Sequence, residues 1–539
     1  HRRAHLSLDQ PLKAQMDKTR IPVIVGTGQV TDTTSKPEEG RSPLQLMHDA
    51  VKLAAADSGA QDQGAALLRG LDSVTVIRLF ADTLPRFASP FGKLANAPWS
   101  IAQRVGAANA TDLVCPPQGG DSLVMLARAC ERIAQGESQA ALVVGGEALR
   151  TELAAKRAGL QLQWGEDAPT TPNQLTGVRS FRSTRPEDMY TKAEEKHGMR
   201  SAIAMYALIG QALRHAAGQT VDQYREASAK LFARFAAVAR DNPLATRRKG
   251  YSAEQIAEVN AENPFVGFPY TKLMTASAFV DQSAAFIVVS EARADELGIP
   301  QDKRVYLHGE AHAHDTWFVS DRERLDQSPA MRLTSRAALA QAGKTIADVD
   351  VFDIYSCFPS VVQIACKELG ISPDDKRGLT VTGGLPYFGG PGNNYVTHAI
   401  AEMVQRVRAK PGAYGLVMAN VGLVTKESVG LFSTERPNKP FMRADSDAIQ
   451  REIDAQTKVR FTEAPQGDAT IETYAVLHGK NGPESGVLFG RLAATGERFV
   501  ANTPADAATL AKLEQVEGIG LPGTVTQVDG RNVFTPRFG

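Results

Sequence analysis

Two glycine-led stretches carry residue types able to do chemistry. In residues 118–147, Gly119-Gly120 precedes Asp121-Ser122, an N-cap pair, and Leu123, Leu126, Ala127, Cys130, Ile133 and Ala134 recur at three- and four-residue spacing. The spacing predicts a helix from Ser122, stopped by Gly136, then a buried strand from Ala140 to Val144 ending in Gly145-Gly146-Glu147. Such a helix aims free backbone N–H groups and a positive dipole end at the space above Gly119, where an enzyme would seat a nucleophile or an oxyanion. The same residues also suit a tight turn into a core helix. Residues 383–422 repeat the plan: Gly383-Gly384, a turn through Gly389-Gly390, an amphipathic helix, and a strand from Tyr414 to Ala419.

The elements that must position these turns also come in pairs. Apolar strands are expected at Ile21–Gly28 and Val305–Ala311, helices at Pro43–Gly59 and Ala330–Gly343, and β-branched strands at Leu71–Ile77 and Val349–Tyr355. An ordered strand–helix–strand–helix–strand pattern met twice argues for two similar α/β halves. Between them, residues 150–270 break the pattern with a polar, Pro/Thr-rich stretch (Gly165 to Arg185) and long helices at Arg200–Ala217 and Val221–Asn242, the second ended by Pro243. An insertion of that size commonly builds or covers a ligand site, and equally suits a surface decoration. Asp281-Gln-Ser-Ala-Ala then leads into a strand at Phe286–Ser290 and a helix at Glu291–Leu297.

Composition removes several function classes. The 539 residues carry 60 basic and 60 acidic side chains, so no strong field toward nucleic acid or membrane is implied. No apolar stretch approaches the roughly 18–20 residues of a bilayer span. The four cysteines, Cys115, Cys130, Cys357 and Cys366, lack metal-ligand spacing and are too few for a disulfide framework, so no metal is expected and a reducing cytoplasm is the default. Met16 directly precedes the first strand, which marks residues 1–15 as an N-terminal extension. A charged, Pro-containing segment, 432–454, reads as a linker. Beyond it, strands at Ala469–Leu477, Ser485–Ala493, Arg498–Asn502, Gly523–Val528 and Asn532–Thr535, with a helix at Ala505–Leu513, suggest a small OB-like barrel over 455–539 without the basic and aromatic stripe of a single-strand binder.

Several segments resemble the thiolase superfamily and, within it, the sterol-carrier-protein-type thiolases and their thiolase-like relatives. Ser122-Leu to Gly136-Glu and Gly145-Gly-Glu resemble the block after the thiolase nucleophile. Asn242-Pro-Leu-Ala, Asn263-Pro to Pro269-Tyr and Asp281-Gln-Ser-Ala-Ala resemble the run closing the first half. Asp350-Val-Phe-Asp-Ile-Tyr-Ser-Cys-Phe resembles the motif written Asn-Glu-Ala-Phe or His-Asp-Cys-Phe in the family, and Gly383-Gly-Leu the start of the last glycine-rich loop. The resemblance covers about residues 20–430. It implies an α/β thiolase fold, two βαβαβαββ halves in a five-layer αβαβα sandwich, with residues 16–300 and 301–431 as the halves and a helical loop domain, about 150–270, over a coenzyme A pocket.

The implied chemistry departs from the family. A thiolase needs a cysteine thiolate at a helix N-terminus, and that slot falls on Gly119. The activating histidine falls on Gly390, the second cysteine on Asn420, and the residue steadying the thioester oxygen on Tyr355. His398, inside the following helix, reads as structural, Cys115 and Cys357 as packing, and Lys426 as solvated or a phosphate contact. Helix N-termini and glycine loops can still polarise a thioester carbonyl through backbone N–H groups, which implicates Gly119, Gly120, Ser122, Gly383, Gly384, Gly389 and Gly390 in binding acyl-CoA. Tyr355 is the candidate acid or base if its pKa is lowered, and Asn420 either bonds a ligand or caps its loop. Three functions follow: an acyl-CoA-handling protein of acetyl-CoA acetyltransferase type without ordinary cysteine thiolysis, a β-hydroxyacyl-CoA retro-aldolase using Tyr355, or a non-catalytic acyl-CoA or lipid binder. Coenzyme A or acyl-CoA is the expected ligand, no covalently bound cofactor is expected, and the chain is expected as a monomer or homodimer.

Overall fold

The computed structural model describes residues 16–83, 87–116, 122–169 and 189–539. Gly119, Gly120, Asp121 and most of the polar loop before Arg185 lie outside the described residues, as does the N-terminal extension.

Two sheets of matching order organise the first 433 residues. The first runs Pro22–Asp32, Asp281–Ser290, Ala140–Ala148, Ser73–Val76, Asp112–Val114, and the second runs Tyr306–His314, Lys426–Ser433, Tyr414–Val421, Val351–Ile354. In each, the two longest outer pairings are antiparallel and the short strands join in parallel, so the expected twofold repeat is met in four strands, with Asp112–Val114 extending the first sheet alone. Helices Ser122–Gln135 and Tyr395–Ala409 lie between the sheets and touch both. Pro43–Asp57 and Ala97–Val105 cover the far side of the first sheet, and Pro329–Gln341 with Pro359–Leu369 the far side of the second. The result is five layers, α, β, α, β, α. The two central helices follow the two glycine-led stretches, which explains their apolar periodicity: a helix between two sheets has little face left for water.

Some boundaries move. The strand expected to end at Val144 continues through Gly145 and Gly146 to Ala148, and the small residues expected before the Phe286 strand are part of it, from Asp281. Their pairing explains both shifts, since Ala148 opposes Asp281 and Gly146 opposes Ser283. A Cβ on Gly145 would strike the Asn394 side chain, so glycine there permits close packing of the central helix. The expected linker also differs: Ser446–Asp454 is a helix, and Gln450 holds the backbone of His314 by accepting its N–H (2.9 Å) and donating to its carbonyl (3.0 Å).

The insertion supplies helices Lys192–Lys196, Ala202–Ala216, Val221–Asp241 and Ala253–Ala257 and a hairpin, Phe265–Phe268 with Tyr270–Thr271. The C-terminal strands Gly467–Gly479, Gly482–Leu492, Arg498–Asn502, Arg531–Pro536 and Pro522–Val528 pair in that order and close back on the first, giving a closed five-stranded barrel. The hairpin adds to the same barrel strand, with Phe268 opposite Val476. Insertion and barrel are thereby one continuous hydrogen-bonded surface.

Candidate ligand pocket

Tyr355 leaves the end of strand Val351–Ile354, and its N–H donates to the Met418 carbonyl (3.1 Å). Cys357 follows, and Phe358 caps a helix whose first residue is Pro359, where a missing N–H costs nothing. Asn420 is the penultimate residue of the neighbouring strand Tyr414–Val421, not a loop residue. Gly422 (φ +80°) and Val424 (φ +54°) then turn the chain back into strand Lys426–Ser433. Neighbouring strand ends thus place Tyr355, Cys357 and Asn420 at one end of the second sheet.

A cavity of about 540 Å³ opens there. Tyr355, Cys357, Asn420, Gly390 and Lys426 line it together with aromatic residues from every surrounding element, among them Phe80, Phe87, Trp317 and Phe358. The insertion contributes Met189, Tyr190, Arg200 and Tyr206. Tyr206 was not legible from the sequence, because it sits on an Ala-rich helix whose facing partner is set only by the tertiary fold. In the structure it stacks on Phe358 (4.5 Å between centroids, 17°). Its hydroxyl donates to the Gly422 carbonyl (2.9 Å) and accepts from Val424 N–H (3.2 Å) and from Asn420 Nδ2 (3.0 Å).

The remaining expected binding residues take other places. Gly383, Gly384 and Gly389 do not line the cavity: a side chain on them would meet Ala239, Phe235 with Ser356, and Gln282, so their role is to let the loop pack under the insertion. Their positive φ values, +109°, +76° and +133°, favour glycine independently of any ligand. Gly390 differs. Its N–H is spent on the Ser277 carbonyl (2.9 Å), and a Cβ there would be in ordinary contact with Leu385 and Ala276. Ser122 is fully buried and bonds Thr397 Oγ1 (2.8 Å); Thr397 in turn donates to Asn394 Oδ1 (2.6 Å). Ser122 therefore ties the N-termini of the two central helices together. His398 lies in the first turn of its helix, fully buried, with Nδ1 2.8 Å from Gln29 Oε1 and Nε2 unpartnered.

Burial sets the protonation of this site. It pushes the Cys357 thiol up to about 12, and it raises the Tyr355 and Tyr206 hydroxyls, with Cys357 adding to both. His398 is driven down to about 3 by the same cause, so it is neutral at pH 7. Tyr355 therefore stands as a protonated donor and not as a base, against the lowered pKa that acid–base work in both directions requires. Its hydroxyl makes no hydrogen bond among the described residues. Cys115, outside the cavity lining, is also raised to about 12 by burial. The sequence reading passed over Glu427, directly opposite Asn420 in the strand pair; it is fully buried, both its oxygens lack partners, and burial raises its carboxyl well above the usual range. An acid directly before the small and apolar run Ser428–Phe432, within the same strand, was the available signal. Among the described residues, no three histidine, cysteine or acidic side chains converge to hold a metal.

Comparison with known proteins gives this geometry a family. Residues 448–531 match the model of the "thiolase-like protein type 1 additional C-terminal domain". The crystal structure of a monomeric SCP2-thiolase-like protein type 1 from Mycobacterium smegmatis is 34% identical, with a TM-score of 0.80 over 96% of this chain and 99% of that one. An Ltp2-ChsH2(DUF35) aldolase, 19% identical with a TM-score of 0.55 over 78% of this chain and 100% of that one, shares the fold alone. Among curated proteins, a "probable acetyl-CoA acetyltransferase" of Mycolicibacterium smegmatis is 30% identical over 136 residues, 24% of this chain and 32% of that protein. A 3-ketoacyl-CoA thiolase of Klebsiella pneumoniae is 26% identical over 28% of this chain and 36% of that one, so the chain aligns with about a third of the length of these curated relatives. Matched along nearly its whole length and through its extra barrel, the chain belongs to the SCP2-thiolase-like proteins of type 1, within the thiolase superfamily.

Proposed function

We propose that this protein binds an acyl-CoA-type thioester in the 540 Å³ cavity without forming an acyl-enzyme. The observation that carries the reading is the chemistry of the cavity wall. Its only described thiol, Cys357, is held up to about 12 by burial, and the strand position beside it is the amide Asn420. A thiol at that pKa is almost wholly protonated at pH 7 and is a poor nucleophile. The wall otherwise offers neutral hydrogen-bonding groups and two cations, Arg200 and Lys426, among aromatic and aliphatic side chains, the composition of a binding pocket. The thioester class is supported by the family and by the acyl-CoA names of the partial relatives.

A lyase acting on β-hydroxyacyl-CoA would need a base for the β-hydroxyl proton. Tyr355, kept protonated by burial, does not supply one at neutral pH. It suits a second role better: its hydroxyl, unbonded among the described residues, can donate to a thioester carbonyl. The test is mass spectrometry of protein and products after incubation with β-keto- and β-hydroxyacyl-CoA, with and without free CoA. Thioesters recovered intact, with no acyl mass added to the protein and with binding seen by calorimetry, are the expected result. CoA-dependent shortening of the β-keto substrate would overturn the reading.

A further inference from the structure

The 540 Å³ cavity divides its chemistry by where its wall comes from. Among the described residues its two cations, Arg200 and Lys426, belong to the insertion and to the second half. The chain before the insertion contributes Phe80, Thr83, Phe87 and Leu149, none of them charged. An anionic head is drawn to the cationic side, and an apolar tail gains most by covering the phenyl rings. On that side Phe80 and Phe87 stack on each other, with ring centroids 4.4 Å apart and planes at 28°.

Behind the stacked pair lies a second cavity of about 80 Å³. The same two stretches of chain line both spaces: Phe80 and Phe87 line the larger, Leu79, Ala81, Ala88 and Ser89 the smaller, and Leu149 belongs to both. The two rings are therefore the partition. Leu44, Leu94 and Trp164 continue the smaller cavity as a mainly apolar space. Each of its acids has a neighbour that answers it: Glu152 meets Lys156 (2.6 Å), Asp82 lies near Lys93, and Glu147 Oε1 accepts the N–H of Phe80 itself (2.7 Å). Asn393 Nδ2 donates to the Arg78 carbonyl (2.9 Å) and to Thr83 Oγ1 (3.1 Å). The backbone of the partition is thus pinned independently of its rings.

Resting on the thioester reading above, we infer that the Phe80–Phe87 pair sets the acyl-chain length this pocket accepts. The tail runs from the thioester to the stacked rings and stops there, and the smaller cavity is the space a longer chain enters once a ring is removed. Phe80 and Phe87 are in this account specificity residues and take no part in chemistry.

The test is titration calorimetry of the full chain with butanoyl- to hexadecanoyl-CoA in two-carbon steps, repeated with Phe80→Ala. Wild-type affinity is expected to climb with chain length and then stop at one step. In the variant, the first chain beyond that step should gain about tenfold over the chain below it, as two further buried methylenes would give. Adding Ala81→Phe, which refills the smaller cavity, should return the stop to its wild-type position. Should Phe80→Ala not fold, Phe87→Ala opens the same partition, and the wild-type series decides alone if neither folds. A wild-type affinity that climbs to hexadecanoyl-CoA without a stop, or a stop unmoved in a folded variant, would overturn this inference and leave the thioester reading standing. Binding of none of the series by the wild-type chain would overturn the thioester reading itself.

Discussion

Two buried polar constellations meet in this protein, and they are built on opposite terms. Where the barrel docks on the thiolase halves, charged groups are nearly saturated. Arg498, 0% exposed, donates to both Glu472 oxygens (2.7 and 2.6 Å), to the Ser320 carbonyl (3.0 Å) and to the Arg322 carbonyl. Arg214 grips Glu517 with two 2.7 Å bonds and donates to the Gln219 carbonyl (3.0 Å). His197 uses both ring nitrogens, Nδ1 toward the Ala193 carbonyl (2.7 Å) and Nε2 accepting from Asn532 N–H (2.8 Å). Elsewhere, Asn420 Oδ1, both oxygens of Glu427 opposite it in the strand pair, and His398 Nε2 in the central helix have no partner. Unpaired buried groups lower stability; the docking surface pairs its charges and leaves bare only neutral atoms, Gln211 Nε2, Ser320 Oγ and Asn502 Oδ1, whereas the end of the second sheet leaves a whole carboxyl, Glu427, without a partner.

The docking surface also reaches the cavity. Asn502 Nδ2 donates to the His197 carbonyl (2.9 Å), Thr473 Oγ1 donates to Leu208 (2.6 Å), and Glu194 Oε1 accepts from Ser320 N–H (3.0 Å). The insertion segments that carry Tyr190, Arg200 and Tyr206 are thus held from behind by the barrel. Arg322, on the segment Arg498 clamps, donates to Leu423 (2.8 Å) and Thr425 (3.0 Å) in the turn after Asn420. The barrel is a scaffold for one wall of the pocket.

The contrast can be broken most forcefully at the satisfied end. Replacing Arg498 by Met removes donors from Glu472 and from three backbone carbonyls while keeping most of the volume; a loss of about 3–5 kcal/mol is expected, read as a fall in the denaturant midpoint. The next largest effect lies on the acid side of the pH profile. His398 is neutral in the folded chain down to about pH 3, whereas an unfolded histidine takes up a proton near 6.5. The unfolded state binds more protons between those values, so this residue's stability is present above pH 6.5 and lost as pH falls toward 3, on the order of 2–3 kcal/mol by pH 4.5. His398→Gln should flatten the wild-type profile in that window; parallel profiles would contradict the assignment.

A smaller effect sharpens the comparison from within the pocket. Tyr206→Phe keeps the stack on Phe358 but strips the hydroxyl that Gly422, Val424 and Asn420 share, and a loss of about 2 kcal/mol is expected by chemical denaturation. Smallest in stability is Tyr355→Phe, because its hydroxyl has no partner within the described chain. Its midpoint should stay within about 0.5 kcal/mol of wild type while thioester affinity falls about tenfold. A large stability loss there would place Tyr355 among the structural residues.

Much of the architecture was legible because it rests on local rules. Apolar spacing in Leu123–Ile133, Gly136 at φ +78°, and Pro243 directly after Asn242 fix helices and their ends whatever surrounds them. The paired order of strands and helices announced two halves, and short strands with turn residues announced the barrel. Identities at single positions put Gly390 and Asn420 where the family resemblance places the activating histidine and the second cysteine. The tertiary structure decided what no spacing encodes. It separated the glycines that pack, Gly383, Gly384 and Gly389, from Gly390 on the cavity wall. It brought Tyr206 across more than two hundred residues to orient Asn420. It also set the direction of the Tyr355 pKa, raised by burial with Cys357 and Glu427 nearby, since a pKa depends on the solvent and charges around a group and not on its neighbours in the chain.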